Sequence, residues 1–102
     1  MICDLQKLLV PRLCGPDRIG GTLARVLERN VRKAVASLKT AERSRHRAKL
    51  LERATRRLEA IVRASTAERG KHAGKHATAP ACQARIARMV EQRRGRLAAL
   101  RS

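Results

Sequence analysis

The chain has no Phe, Tyr or Trp. Aromatic side chains bury the largest area per residue and dominate most small cores, so 102 residues must here build a core from Leu, Ile, Val and Ala. The same absence excludes readers of unpaired bases, which depend on aromatic stacking platforms. It also removes the Trp and Phe anchors of helices that lie in a membrane surface. Acidic side chains are scarce, 8 against 25 Lys and Arg, which leaves a formal charge of +17 with His neutral. With so few carboxylates, and those scattered, metal-assisted phosphoryl transfer is not expected. No Ser-His-Asp or paired-carboxylate arrangement stands out either. We expect no enzyme, no cofactor and no small-molecule substrate.

Cysteine is sparse and odd in number: Cys3, Cys14 and Cys82, widely spaced. No closed disulfide framework is implied, and the expectation is reduced thiols in an intracellular, cytoplasmic setting. No apolar run approaches the roughly 20 residues of a membrane span. The N-terminus lacks the basic-then-apolar order of a secretory signal. A chain of this size without aromatics, disulfides or a metal makes a marginal monomer, and association is the simplest remedy.

Glycine and proline are missing between Thr22 and Arg69, and that stretch is helix-periodic throughout. Apolar residues recur three and four apart at Ile19, Leu23, Val26, Leu27, Val31, Ala34, Leu38 and Ala41, then at Leu50, Leu51, Ala54, Leu58, Ile61 and Val62. This spacing places them on one face of a helix over about 18–68, a rod of roughly 75 Å if unbroken. Glu28 and Arg32, Glu52 and Arg56, and Glu59 and Arg63 are oriented for helix-stabilising pairs, each worth a few tenths of a kcal/mol. The apolar row falters over Thr40–Arg47. Continuity is favoured because neither Gly nor Pro sits in the patch; a break near Ser44, giving a monomeric four-helix arrangement, is the alternative.

Residues 2–13 suit a short helix with Ile2, Leu5, Leu8 and Leu9 on one side, ended by Pro11, and Asp17 suits an N-cap for the long helix. Residues 69–80 form a flexible basic loop, in which Gly70-Lys71-His72 and Gly74-Lys75-His76 repeat each other. A last helix over about 81–101 carries Ile86, Met89, Val90, Leu97 and Leu100. The predicted fold is a single all-α domain. The first and last helices, about 15 and 30 Å long, cannot cover a 75 Å row. The uncovered part is expected to meet a second copy in a homodimeric bundle.

Charge then points to a partner. Basic residues are mostly Arg, 19 against 6 Lys, and the planar guanidinium fork suits phosphate. Arg25, Arg29, Arg32, Lys39, Arg43 and Arg47 follow at spacings of 4, 3, 7, 4 and 4, forming one stripe opposite the apolar row. Arg53, Arg56, Arg57 and Arg63 extend it, and Arg93, Arg94 and Arg96 form a further cluster. Such a row can reach successive phosphates and release their counterions. With stacking excluded, what remains is recognition of a duplex through backbone and shape. A helical surface suits the wide minor groove of A-form RNA. Reading DNA in its major groove calls for Asn or Gln, and the long helix has only Asn30. Duplex RNA is therefore favoured over DNA. A DNA-binding accessory protein of a bacterium or phage, a scaffold or ribosome-associated protein, and an anionic membrane surface are the competing readings. His72, His76 and Cys82 have the residue types of a zinc site, but their place in a Gly-rich repeat disfavours a metal there.

The segment Asn30-Val31-Arg32-Lys33, followed by Leu38 and Ala41, resembles the start of the long helix in the nodavirus RNA-silencing suppressors. That resemblance implies an all-helical antiparallel dimer. It also implies that the exposed face of the long helix binds duplex RNA without base readout and sequesters it from host silencing. This chain departs from the family in being far more basic and in its longer His-containing loop.

Overall fold

Leu23, Leu27, Val31, Ala34 and Leu38 form the expected buried row, on the helix α2 (Gly21–Ala41). In the computed structural model, which describes residues 2–9, 13–15, 19–71 and 78–101, that row does not continue as one rod. The chain turns at 42–46 and resumes as α3 (Arg47–Lys71). The expected single helix over 18–68 is thus two helices, broken where the apolar row falters.

The turn needs neither Gly nor Pro. At the end of α2 the N–H groups of Arg43 and Ser44 donate to the carbonyls of Thr40 and Ala41 at 3.1 and 3.4 Å. These three-residue bonds tighten the chain out of the α-helix. The Ser44 hydroxyl then accepts the His46 N–H at 3.0 Å, an alternative that Ser offers to helix continuation. Leu50 N–H to His46 carbonyl, at 3.1 Å, restarts the helical ladder. Breaking the helix forfeits a few backbone bonds worth about 1 kcal/mol net each, several of them replaced. Folding back buries Leu51, Leu58 and Ile61 almost completely, at about 1.5–3 kcal/mol per side chain. Burial outweighs continuity.

The remaining elements are α1 (Ile2–Gln6), a 3₁₀ turn (Lys7–Leu9) and α4 (Pro80–Arg101). Among the described residues there is no strand. α2 packs on α3 and α3 on α4, while α1 and its 3₁₀ turn pack on α2. Ile2, Cys3, Leu38, Ala41, Leu51 and Leu100 meet at one end, so α4 runs antiparallel to α3 and α1 antiparallel to α2. α1 closes the gap between α2 and α4: Leu5 and Leu8 enter the core, and Arg93 Nε donates to the Asp4 carbonyl at 2.8 Å. Around the bundle the order is α1, α2, α3, α4, within an envelope of 47 × 23 × 18 Å.

Three expectations change with this fold. The chain covers its own apolar row, so a second copy is not needed for that purpose. Cys14 and Cys82 form a disulfide with Cα atoms 5.4 Å apart, leaving Cys3 as the free, exposed cysteine. This bond supplies the staple that a small, aromatic-free core lacks, and it overturns the expectation of three reduced thiols on which the intracellular placement rested. The loop of 69–80 is shorter at both ends, since α3 runs through Lys71 and α4 begins at Pro80. The last helix lies where its periodicity placed it. Asp17, Pro11, His72 and His76 lie outside the described residues. No helix among those described is long and apolar enough to cross a membrane.

α2 starts without a side-chain cap; instead the Gly20 N–H donates to the Thr78 hydroxyl at 2.7 Å. The buried polar side chains Asn30, Thr55 and Ser65 bond to carbonyls within their own helices, at Val26, Leu51 and Val62. Among the described residues no buried side-chain polar atom lacks a partner, as a well-packed interior requires.

Candidate nucleic-acid interface

All ten of the basic residues expected to contact a polyanion are exposed, but the fold sorts them into different places. Arg25, Arg29, Arg32 and Lys39 stand on the outer side of α2, Arg43 lies in the turn, and Arg47 opens α3. The single straight stripe from Arg25 to Arg47 is interrupted by the break. Within it Arg32 is already paired with Glu28 at 2.8 Å.

A different set is brought together. Lys33, Ala36 and Ser37 of α2 face Arg53, Arg56, Arg57, Ala60 and Arg63 of α3 across a groove of about 550 Å³. The small residues Ala36, Ser37 and Ala60 form part of its lining, and five cations complete it. Arg56 is held at 2.7 Å by Glu52. Lys33, Arg53, Arg57 and Arg63 form no ion pair among the described residues, and no acidic residue lines the groove. Arg63 is left without the expected partner because Glu59 faces α4, with an oxygen 3.9 Å from Arg94.

Further along the hairpin, Lys39, Thr40, Glu42, Arg43, Ser44, Arg45 and His46 line a second concavity of about 770 Å³ at the turn. α3 has no acidic residue in its first turn, so its positive dipole end adds to the cations of the tip rather than being offset. Groove and tip together make the α2–α3 hairpin a surface dominated by positive charge.

Glu28, Glu42 and Glu52 lie on the hairpin, whereas Asp4, Glu59 and Glu91 are engaged around α4. Asp4 faces Lys7 at 3.9 Å and Arg96 at 3.2 Å. Arg94 hydrogen-bonds both oxygens of Glu91, which holds that carboxyl below its ordinary range against a smaller opposing effect of burial. Arg93 donates to the carbonyls of Asp4 and Met89. The expected polyanion cluster of Arg93, Arg94 and Arg96 is therefore engaged within the protein, fastening α1 and α3 to α4.

Lys33 is the residue that sequence reasoning left out. It sits beside the Arg stripe on the helix, and only the packing of α3 turns that side into a groove wall; no local signal marks it. Asn30, the one amide in the former rod, is 4% exposed and donates to the Val26 carbonyl at 2.8 Å, so it is not available to read a base. Cys82 is bonded to Cys14, which removes it from the His72, His76 and Cys82 set. Among the described residues no group of three His, Cys, Asp or Glu is placed to hold a metal.

No protein-family model, curated protein or solved structure matches this chain.

Proposed function

We propose that the chain binds duplex nucleic acid, with duplex RNA preferred, by holding the phosphate backbone along the α2–α3 face. The observation that carries this reading is the acid-free lining of the α2–α3 groove. Lys33, Arg53, Arg57 and Arg63 converge on one groove without acidic counterparts, while the acids Asp4, Glu59 and Glu91 are occupied by cations around α4. A surface that only needed solvation would mix both signs. Backbone contact fits the side chains present: guanidinium groups for phosphate, no aromatic for stacking, and the amide of Asn30 turned inward. Duplex RNA is preferred because its shape and minor groove can be engaged without base-reading amides.

Sequestration of duplex RNA is the use that the nodavirus resemblance suggests. The break at 42–46 takes away the single long helix which that resemblance implied, so the reading rests on the charged groove. A salt-dependent gel shift comparing duplex RNA, duplex DNA and single strands of equal length tests it. Preference for the RNA duplex with a steep salt dependence is expected. Equal binding to all three would reduce the interaction to plain charge attraction.

A further inference from the structure

We infer that the bundle carries a second polyanion-binding groove on the opposite face and that one chain thereby bridges two duplexes. This rests on the reading that the α2–α3 face holds the first. The second groove, of about 450 Å³, lies between the turn at Cys14 and the first half of α4, lined by Cys14, Ala81, Cys82, Arg85, Arg88 and Met89.

Three observations set this groove apart from an ordinary basic surface. Its cations are unengaged: Arg85 and Arg88 are exposed and form no ion pair among the described residues. The contrast lies within one helix, because Arg93, Arg94 and Arg96 further along α4 each bond to protein groups. No acidic residue lines the groove. Its walls are also pinned, since the Cys14–Cys82 bond joins them covalently. A backbone held in place brings both arginines to a phosphate with less ordering than a loose loop would require.

Position supplies the function. One groove is built from α2 and α3 alone, the other from α4 and the turn after α1. With the helices ordered α1, α2, α3, α4 around the bundle, these are opposite faces. They are separated by the short dimensions of the molecule, 23 and 18 Å. A duplex on one face leaves the other free, and the positive chain between two duplexes offsets their mutual repulsion. The chemical class is the same for both sites: the phosphate backbone of a nucleic-acid duplex. The α2–α3 face has more free cations and takes the first duplex.

The test uses duplex RNA fixed to beads, the full chain, and a second, fluorescent duplex. Binding of a single labelled duplex is measured in parallel by anisotropy. Wild-type protein is expected to retain the fluorescent duplex on the beads. The double variant R85A/R88A is expected to bind a single duplex within about twofold of wild type but to capture less than about a tenth as much of the second, through loss of its phosphate contacts. R85K/R88K should restore much of that capture, which a variant damaged in folding would not. Wild-type protein that binds one duplex but captures no second overturns the bridging while leaving the α2–α3 site intact. Capture by R85A/R88A equal to wild type also overturns it, since the second duplex would then be held elsewhere or by another copy of the chain. Failure of wild type to bind any duplex removes the α2–α3 reading, and bridging with it.

Discussion

Cys14 and Cys82 are covalently joined across 68 positions of sequence, tying the turn after α1 to the first turn of α4. Both ends are buried, at 8% and 1% exposure, and Gly20 and Thr78 are hydrogen-bonded beside them. The beginnings of α2 and α4 are thereby held together at one end of the bundle.

A cross-link closing a loop of this length stabilises by about 4 kcal/mol in the chain-entropy model, with measured values typically 2–4. For a small domain that is a large part of the total. Thermal unfolding followed by circular dichroism, with and without reductant, should show a lower midpoint for the reduced chain and for C14A/C82A. Equal midpoints would mean that the bond contributes nothing.

The two sets of arginines make different predictions for duplex binding. If the groove is the contact surface, R53A/R57A/R63A should lower the slope of log K against log salt by about 3. R25A/R29A/R32A, on the outer side of α2, should change it by less. In that set Arg32 is paired with Glu28 in the free protein. A larger effect of the second triple would place the contact on the outer stripe instead.

Gly95 lies inside α4, and a Cβ added there would meet nothing within 4 Å. Gly95→Ala removes the entropy penalty of glycine in a helix without a clash. Stability should rise by about 0.5–1 kcal/mol, measurable by urea denaturation. A lower midpoint would mean that α4 needs flexibility at that point.

Glu91 gives a pH dependence of definite sign. Its hydrogen bonds to Arg94 hold its carboxyl below the ordinary range in the folded chain, so the unfolded chain takes up this proton first as the pH falls. The stabilisation is complete above the ordinary carboxylate value and is lost as the pH drops through the lower, folded one. The Glu91 side chain is half exposed, which limits the contribution to about 1 kcal/mol or less. Glu91→Gln should be slightly less stable than wild type near neutral pH. The difference should shrink below about pH 4; a gap constant with pH would assign it to something other than ionisation.

Periodicity and local pairing were legible along the chain because they depend on neighbours three or four residues away. The buried faces of α2, α3 and α4 follow it, except that Leu100 at the end of α4 is left exposed, and so do the pairs of Glu28 with Arg32 and Glu52 with Arg56, at 2.8 and 2.7 Å. Glu59 was misread because its spacing to Arg63 is equally good, and only the approach of α4 decides in favour of Arg94. The fault in the apolar row left a break near Ser44 open as the alternative to a continuous helix, and the structure takes that alternative. A polar patch in a helix is tolerable until the burial gained by folding back is counted.

Sequence alone therefore determined an all-helical, strongly basic protein without the means to stack on bases, since composition and helical spacing are properties of the linear chain. Tertiary structure decided which cations are free. Packing α4 against α1 and α3 engages Arg93, Arg94 and Arg96, while packing α3 against α2 gathers Lys33, Arg53, Arg57 and Arg63 in a groove whose lining holds no acid. The Cys14–Cys82 bond belongs to the same level, because two residues 68 apart meet only once the helices between them have folded.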